Sequence, residues 1–257
     1  MKLIQLSHVL LRGMNTETEA NDASQETSMT NLCSVLMILT SHTQLGSSEH
    51  KTGFWLEELA TPYLEFQRAG CRVELTSPAG GPAAADPKSE QDTSENVRAF
   101  LADAKAMAKL RSTQKLADVK APYDAYFVVG GHGVMWDLPK DTKLAKLLAT
   151  AYEAGRLVAA VCHGPAALVN LKLSNGEYLV KGRRVSAFTN EEEAAVGLTK
   201  VVPFALESEL RERGALFQPA PMWSSFVVRD KNLITGQNPA SSGAVARATL
   251  SALEEKR

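Results

Sequence analysis

Short apolar stretches of strand length alternate along this chain with longer segments in which apolar side chains return every three to four positions. The short stretches suit strands of a parallel sheet that are buried on both faces, and the longer segments suit helices. The pattern predicts strands at 34–40, 71–76, 126–129, 157–161 and 232–235. It predicts helices at 54–69, 95–118, 143–153, from 165 onward and at 241–255.

Strands that alternate with helices indicate βαβ units, and hence an α/β fold with a mostly parallel sheet and helices on both faces. No linker divides the chain, so a single domain is predicted over 34–257. Residues 12–31 contain too few apolar groups to offset the entropy of ordering. The first eleven residues resemble a signal peptide only faintly, because polar residues interrupt their apolar run. Residues 1–33 are therefore predicted to be a disordered extension.

Composition argues against a nucleic-acid-binding, membrane-spanning, disulfide-rich or zinc-binding protein. The formal net charge of −1 gives no overall attraction to nucleic acid or to a membrane surface. No segment approaches the roughly 18 apolar residues of a transmembrane helix. The three cysteines are an odd, widely spaced set without a C-x-x-C pair, which argues against a disulfide framework and a zinc site and favours the reducing cytoplasm. Cys33 and Cys71 are interpreted as inert packing residues.

The candidate nucleophile is Cys162. An apolar strand runs directly into it, and His163, Gly164 and Pro165 follow at a predicted helix start. This is the pattern of a nucleophile elbow, a tight turn whose crowding demands small neighbours. A sulfur near a helix N-terminus is expected to be a thiolate, because the partial positive charge there favours the anion. The alternative is a buried structural cysteine.

A second glycine-bearing turn, Gly130-Gly131-His132-Gly133, follows the predicted strand 126–129. Glycines let the backbone approach a substrate closely, and exposed N–H groups at such a turn can hold an oxyanion. His132 can contact the substrate or serve only to satisfy the turn. In open α/β sheets sites form at the carboxyl ends of strands, so both turns are expected at one site.

These two turns resemble the ThiJ/PfpI superfamily, whose flavodoxin-like fold is similar to that of class I glutamine amidotransferases. Further motifs resemble its heat-inducible chaperone and glyoxalase III branch, in order along residues 34–252. They are Thr40-Ser41-His42, 52–58, Trp136-Asp137, 188–193 and 235–242. The segment 221–225 departs from that branch, because it keeps Trp223 where relatives often show an acid beside the tryptophan. That departure leaves the substrate preference open.

The resemblance implies a role for each matching residue. Cys162 would be the nucleophile and His163 its triad partner. Glu193 falls where the branch places the acid that orients the histidine, and Glu192, one residue away, is the competing choice. Glu58 matches a buried glutamate that hydrogen-bonds the cysteine.

Two further roles concern groups near these residues. Glu57, next to Glu58, is expected to be solvated. The backbone N–H groups of Gly131 and His163 would hold the oxyanion, with Gly130 and His132 as further substrate-binding residues.

The implied activity is that of a lyase, a glutathione-independent glyoxalase III that converts methylglyoxal or a similar 2-oxoaldehyde to D-lactate or another 2-hydroxy acid. The thiolate would attack the aldehyde carbon, and His163 or Glu58 would move a proton through an enediol-like species. No cofactor is expected: no metal, nicotinamide or glutathione. Alternatives are a stress-inducible holding chaperone or oxidant sensor that uses the same cysteine, and a cysteine peptidase or amidase. The predicted partners are the small substrate, a second copy in a homodimer and unfolded client proteins.

Overall fold

The structure is a computed structural model that describes residues 33–257. The predicted extension, residues 1–33, therefore lies outside the described residues except for Cys33, and remains a prediction. No helix between residues 33 and 257 has the length and hydropathy needed to span a lipid bilayer.

Nine strands and eight α-helices follow one another along the described part of the chain. The strands are Cys33–Ile38 (β1), Cys71–Ser77 (β2), Gln114–Lys115 (β3), Ala125–Val128 (β4), Leu157–Val161 (β5), Arg184–Val185 (β6), Leu216–Phe217 (β7), Val227–Asp230 (β8) and Leu233–Gly236 (β9). The helices are Leu56–Arg68 (α1), Glu95–Ala102 (α2), Ala104–Arg111 (α3), Val134–Asp137 (α4), Thr142–Glu153 (α5), Asn190–Ala195 (α6), Leu206–Glu212 (α7) and Ser242–Glu254 (α8).

Seven of these strands form one sheet in the order β3-β2-β1-β4-β5-β9-β8, and β6 pairs with β7 separately. All neighbours in the large sheet are parallel except β8, which runs antiparallel to β9. The central strands β4 and β5 are buried throughout, as their continuous apolar runs require. The predicted mostly parallel sheet with helices on both faces is confirmed.

Successive side chains of the central strands point to opposite faces of the sheet and pack into two separate hydrophobic cores, one on each face. Val35 and Met37 of β1 point into one core, which also holds buried residues of α1, α2 and α8. Leu36 and Ile38 point into the other, which holds buried residues of α5. The period of two along a strand thus produces a three-layer molecule.

Two predicted helices are shorter than their composition suggests. The helix predicted at 95–118 breaks at Asp103, whose carboxylate accepts hydrogen bonds from the N–H groups of Lys105 and Ala106 and so caps a new helix. After Arg111 the chain enters β3 and a 3₁₀ turn. The helix predicted from 165 is only a 3₁₀ segment, Gly164–Leu168. A tight turn at Asn175 and Gly176 then reverses the direction of the chain.

The interpretation of Cys33 and Cys71 as inert packing residues is wrong, because they form a disulfide. The two residues lie opposite each other in the register of β1 and β2, with their Cα atoms 4.5 Å apart. A separation of 38 residues along the chain conceals this proximity. The intervening helix α1 returns the chain to a parallel strand at the same level of the sheet.

Candidate active site

Cys162 follows directly on β5 and has a φ of 58°, in the left-handed region that residues with a side chain rarely adopt. Its neighbours have to be small. A Cβ atom on Gly164 would lie 2.5 Å from the carbonyl oxygen of Val128, and one on Gly130 would lie 3.0 Å from the Cβ of Cys162 itself. The predicted elbow is therefore present, and its strain is held by backbone packed on both sides.

The Gly130–Gly133 turn packs closely against the segment before α1 and is hydrogen-bonded to it. Gly131 has a φ of 100°, and a Cβ there would come within 2.4 Å of the backbone nitrogen of Trp55. Trp55 donates its N–H to the carbonyl of Gly130 at 3.0 Å, and Gly133 donates to Gly53 at 3.1 Å. These bonds bring the first turn of α1, and hence Glu58, beside the elbow.

Cys162, His163 and Glu193 form a continuous line of contacts. The sulfur lies 3.3 Å from Nδ1 of His163, and Nε2 of the same ring lies 2.8 Å from Oε2 of Glu193. All three residues are buried, with Cys162 only 3% exposed. Glu193 reaches the histidine from the first turn of α6, which Thr189 caps. This is the arrangement of nucleophile, base and orienting acid that cysteine-dependent enzymes use.

Glu192, the competing candidate for the acid, points elsewhere. It is fully buried and accepts hydrogen bonds from Thr189, Trp223, Gln237 and Asn238 at 2.8–3.1 Å. Successive residues of a helix differ by about 100° in direction. The structure therefore places one of the two glutamates on the histidine and the other on a separate polar network.

His132 occupies a position that the sequence did not indicate. Its Nε2 lies 2.9 Å from Oε1 of Glu193, and its ring centroid is 4.1 Å from that of His163. Two imidazoles therefore share one carboxylate. Neither alternative predicted for His132, substrate contact or a purely local role in the turn, includes this bond. A second histidine at the end of a neighbouring strand was the one signal available.

Among residues 33–257, His132, His163 and Glu193 also form the cluster whose possible ligand atoms are close enough to hold a metal ion. These atoms all lie within 4.8 Å of one another. Each imidazole Nε2 is already paired with its own oxygen of Glu193. The hydrogen bonds between His132, His163 and Glu193 therefore account for the cluster without an ion.

The charges of the triad follow from its surroundings. Burial, and then the nearby His132, lower the pKa of His163 to about 4, so the ring is neutral at pH 7. Burial acts to raise the pKa of Glu193, but the hydrogen bonds from His132 and His163 outweigh it and lower that pKa to about 2. We assign the ring proton of His163 to Nε2, where it faces the carboxylate, because Nδ1 then offers a lone pair to the thiol.

The expected thiolate at Cys162 is not supported in the resting site. Burial raises the pKa of the Cys162 thiol well above its ordinary value, although the N–H groups of Gly131 and His163 act to lower it. The following 3₁₀ segment is too short to supply a helix dipole comparable to that of an α-helix. The resting sulfur is therefore a thiol, and His163 is the group placed to remove its proton.

Glu58, on α1, is a second buried carboxyl group next to Cys162. It is fully buried, and its carboxyl oxygens make no hydrogen bond of ordinary geometry within residues 33–257. Burial raises its pKa well above the usual range, and the nearest polar groups, on Cys162 and Gly130, offset this only in part. Glu58 is thus a protonated acid beside the nucleophile. Glu57 is not solvated as predicted, because it is half-buried and accepts a hydrogen bond from Ser242 of α8 at 2.8 Å.

Aromatic rings flank the triad on one side. Phe188 packs against His163 with ring centroids 4.4 Å apart, and Trp223 lies beyond it at 5.8 Å from Phe188. Trp136 stacks instead on His42, with ring centroids 5.2 Å apart.

Comparison with known proteins gives consistent results. The profile of the DJ-1/PfpI family matches residues 50–252. The chain is 31% identical to Glyoxalase 3 of Candida albicans and 30% identical to the glutathione-independent glyoxalase HSP31 of Saccharomyces cerevisiae, in each case over 86% of this chain and 98% of the relative.

Solved structures agree in both fold and extent. The crystal structure of glyoxalase III from Candida albicans superposes with a TM-score of 0.80 at 30% identity, over 86% of this chain and 98% of that one. Rapid Encystment Protein 24 KDa of Francisella tularensis superposes with a TM-score of 0.84 at 39% identity, over 86% of this chain and 99% of that one.

Proposed function

Because this chain belongs to the DJ-1/PfpI family, we propose that it is a glutathione-independent glyoxalase that converts methylglyoxal and related 2-oxoaldehydes to D-lactate and the corresponding 2-hydroxy acids. Relatives that it covers almost completely carry the name of this activity. The observation that carries the proposal is the contact of the Cys162 sulfur with a neutral, carboxylate-oriented imidazole at 3.3 Å.

The reaction begins with the Cys162 thiol. Nδ1 of His163 takes the thiol proton while the sulfur attacks the aldehyde carbon, and Glu193 stabilises the imidazolium that forms. The N–H groups of Gly131 and His163, which face the sulfur, hold the developing oxyanion. The imidazolium then returns its proton to that oxygen, which leaves a hemithioacetal and a neutral His163.

The next step moves a proton between the two carbons. His163 removes the proton from C1, whose C–H electron pair forms the C1–C2 double bond, and protonated Glu58 gives its proton to the C2 oxygen, so that an enediol forms. The imidazolium then protonates C2, while Glu58 recovers a proton from the C1 hydroxyl and a thioester results. The pair of electrons stays on the substrate, so no external oxidant or reductant enters. Water finally hydrolyses the thioester to the 2-hydroxy acid and regenerates the thiol.

The test is lactate production from methylglyoxal without glutathione. We expect the Cys162→Ser variant to lose at least about a thousandfold in kcat/KM, because a serine hydroxyl is far less acidic than a thiol. The matched control is the double variant Cys33→Ser and Cys71→Ser, which removes the other two cysteines and is expected to retain activity. Lactate formation by Cys162→Ser at the wild-type rate would exclude the scheme.

Three further features belong to the same proposal. We infer a cytoplasmic homodimer, supported by the resemblance described above, and light scattering of the purified full-length protein tests the dimer. Cell fractionation tests the compartment, because a disulfide such as Cys33–Cys71 is typical of oxidising compartments and rare in the cytosol. Binding of unfolded clients is tested by the heat aggregation of a model protein in the presence of Cys162→Ala.

A further inference from the structure

Trp223 is held in an unfavourable state at the protein surface. Its side chain is 47% exposed, and its backbone φ is 64°, a value that a bulky residue rarely adopts. A left-handed backbone at a bulky residue costs free energy, so other contacts have to maintain it. The mechanism described above uses neither Trp223 nor the loop around it.

The contact that holds Trp223 is made by Glu192. The backbone N–H of Trp223 donates to Oε1 of Glu192 at 3.0 Å, and the same oxygen accepts from Gln237 at 3.1 Å and Asn238 at 2.8 Å. The other carboxylate oxygen accepts from the backbone and hydroxyl of Thr189. Five donors thus converge on one fully buried carboxylate that no cation contacts among the described residues.

The rest of the loop is fixed by the same two amides. Ala220 donates its N–H to Oε1 of Gln237 at 2.7 Å, and the amide nitrogen of Gln237 donates back to the Ala220 carbonyl at 3.2 Å. Asn238 donates to the carbonyl of Ser224 at 2.9 Å. Both amides are fully buried. The loop is therefore hydrogen-bonded to buried side chains on both sides of Trp223.

The indole that this network holds borders the reacting groups. Phe188 lies between Trp223 and His163, in ring contact with both. Phe188 also donates its backbone N–H to the carbonyl of Cys162 at 2.9 Å. A row of ring contacts therefore runs from the buried triad histidine through the buried Phe188 to the indole of Trp223, which is the part exposed to solvent.

On these contacts we propose that Trp223, packed against the buried Phe188, forms a subsite for the substituent of the 2-oxoaldehyde, and that this subsite favours flat aromatic substituents over methyl. Glu192 is the positioning residue that holds the subsite. The inference rests on the proposed function for its location. A flat ring stacks on an indole with a gain beyond the area it buries, whereas a methyl group has no ring face to stack.

The test compares initial rates on phenylglyoxal and methylglyoxal. We expect Trp223→Ala to lower kcat/KM for phenylglyoxal about tenfold relative to that for methylglyoxal, mainly through a higher KM. Trp223→Phe should keep most of the wild-type ratio, because it retains a ring. The matched control is Leu216→Ala, which truncates another exposed apolar side chain, on β7. Equal losses on both substrates, or no loss on either, would overturn the subsite.

Glu192→Gln tests the positioning role. The amide keeps the size of the carboxylate but turns an N–H group toward donors, so we expect the ratio of the two kcat/KM values to fall at least about threefold toward methylglyoxal. The exposed neighbour Glu191→Gln is the control and should leave the ratio unchanged. If Glu192 had only a structural role, Glu192→Gln would lower the melting temperature and would lower kcat/KM for both substrates by the same factor. That result would contradict the assignment of Glu192 as a positioning residue.

A binding measurement separates this inference from the proposed function. Mandelate and lactate are the hydroxy acids that correspond to phenylglyoxal and methylglyoxal, and both can be titrated calorimetrically into the Cys162→Ala protein. We expect mandelate to bind about tenfold more tightly, and Trp223→Ala in that background to remove the difference. Failure of wild-type turnover with this preference intact would reject the glyoxalase reaction only, and equal binding of the two acids would reject the subsite.

Discussion

The α1 side and the α6 side of the site each bring a buried glutamate near the same sulfur, yet the two carboxyl groups are in opposite protonation states. Glu193, on α6, receives hydrogen bonds from two imidazoles, and these lower its pKa to about 2 despite burial. Glu58, on α1, receives no hydrogen bond of ordinary geometry from the described residues, and burial raises its pKa. One fold thus supplies an anion that orients a base and an acid that can exchange a proton.

The largest effect should come from removing the anion. Glu193→Gln leaves the two imidazoles facing an amide, so His163 loses the orientation and charge that make Nδ1 a base. We expect kcat to fall about 10³- to 10⁴-fold, with a modest loss of stability. Steady-state rates on methylglyoxal measure this, with Glu191→Gln as the control on the same helix. A loss below tenfold would mean that Glu193 does not orient the base.

Replacing the acid should cost less in rate and nothing in stability. Glu58→Gln keeps a neutral group of similar size but cannot give up and recover a proton, so we expect kcat to fall about 10²- to 10³-fold. The melting temperature at pH 7 should stay equal or rise, because the buried carboxyl has no partner to lose. Glu57→Gln is the matched control. A clear drop in melting temperature for Glu58→Gln would show that this carboxyl is ionised.

The pH dependence should separate the two sides of the site. The pKa of His163 falls from 6.5 to about 4 and that of Glu193 from 4.5 to about 2 on folding, so their contributions to stability are present above the unfolded values and are lost as pH falls through the folded ones. The pKa of Glu58 is raised, so its contribution is present below 4.5 and is lost as pH rises through the folded value.

Melting curves from pH 3 to 9 test these signs. Glu193→Gln should flatten the acid side, and Glu58→Gln should flatten the alkaline side. Activity should fall about tenfold per pH unit below about pH 4, as His163 becomes charged. If the melting temperature of both variants kept the wild-type dependence on pH, on the acid and the alkaline side alike, the opposite protonation states of Glu193 and Glu58 would be refuted.

The smallest effect on activity is expected at the opposite end of the sheet. Denatured without reductant, the protein should show one reactive thiol, that of Cys162, because Cys33 and Cys71 are paired. Reduction should lower the free energy of unfolding by about 3 kcal/mol and change kcat/KM less than twofold. Thiol titration and denaturant unfolding measure both. Three thiols before reduction would show that the pair is open in solution.

Much of this site follows from local pattern. A fully apolar strand that runs into Cys162, His163 and Gly164 predicts a nucleophile elbow. A turn that tight requires glycine, because a Cβ on Gly164 would lie 2.5 Å from the carbonyl oxygen of Val128. The choice between Glu192 and Glu193 could not be made in the same way. Both lie in one turn of α6, and a rotation of about 100° about the helix axis decides which reaches His163.

The sequence by itself determined the parallel α/β class, five of the seven strands of the large sheet and the elbow that carries the candidate nucleophile, because these depend on apolar periodicity and on backbone space next to one residue. Only the tertiary structure decided the protonation of Cys162 and Glu58, the pairing of Cys33 with Cys71 and the bond between His132 and Glu193. Those features depend on burial and on distances between residues far apart in the chain. No local pattern carries that information, since the sheet alone brings such residues together.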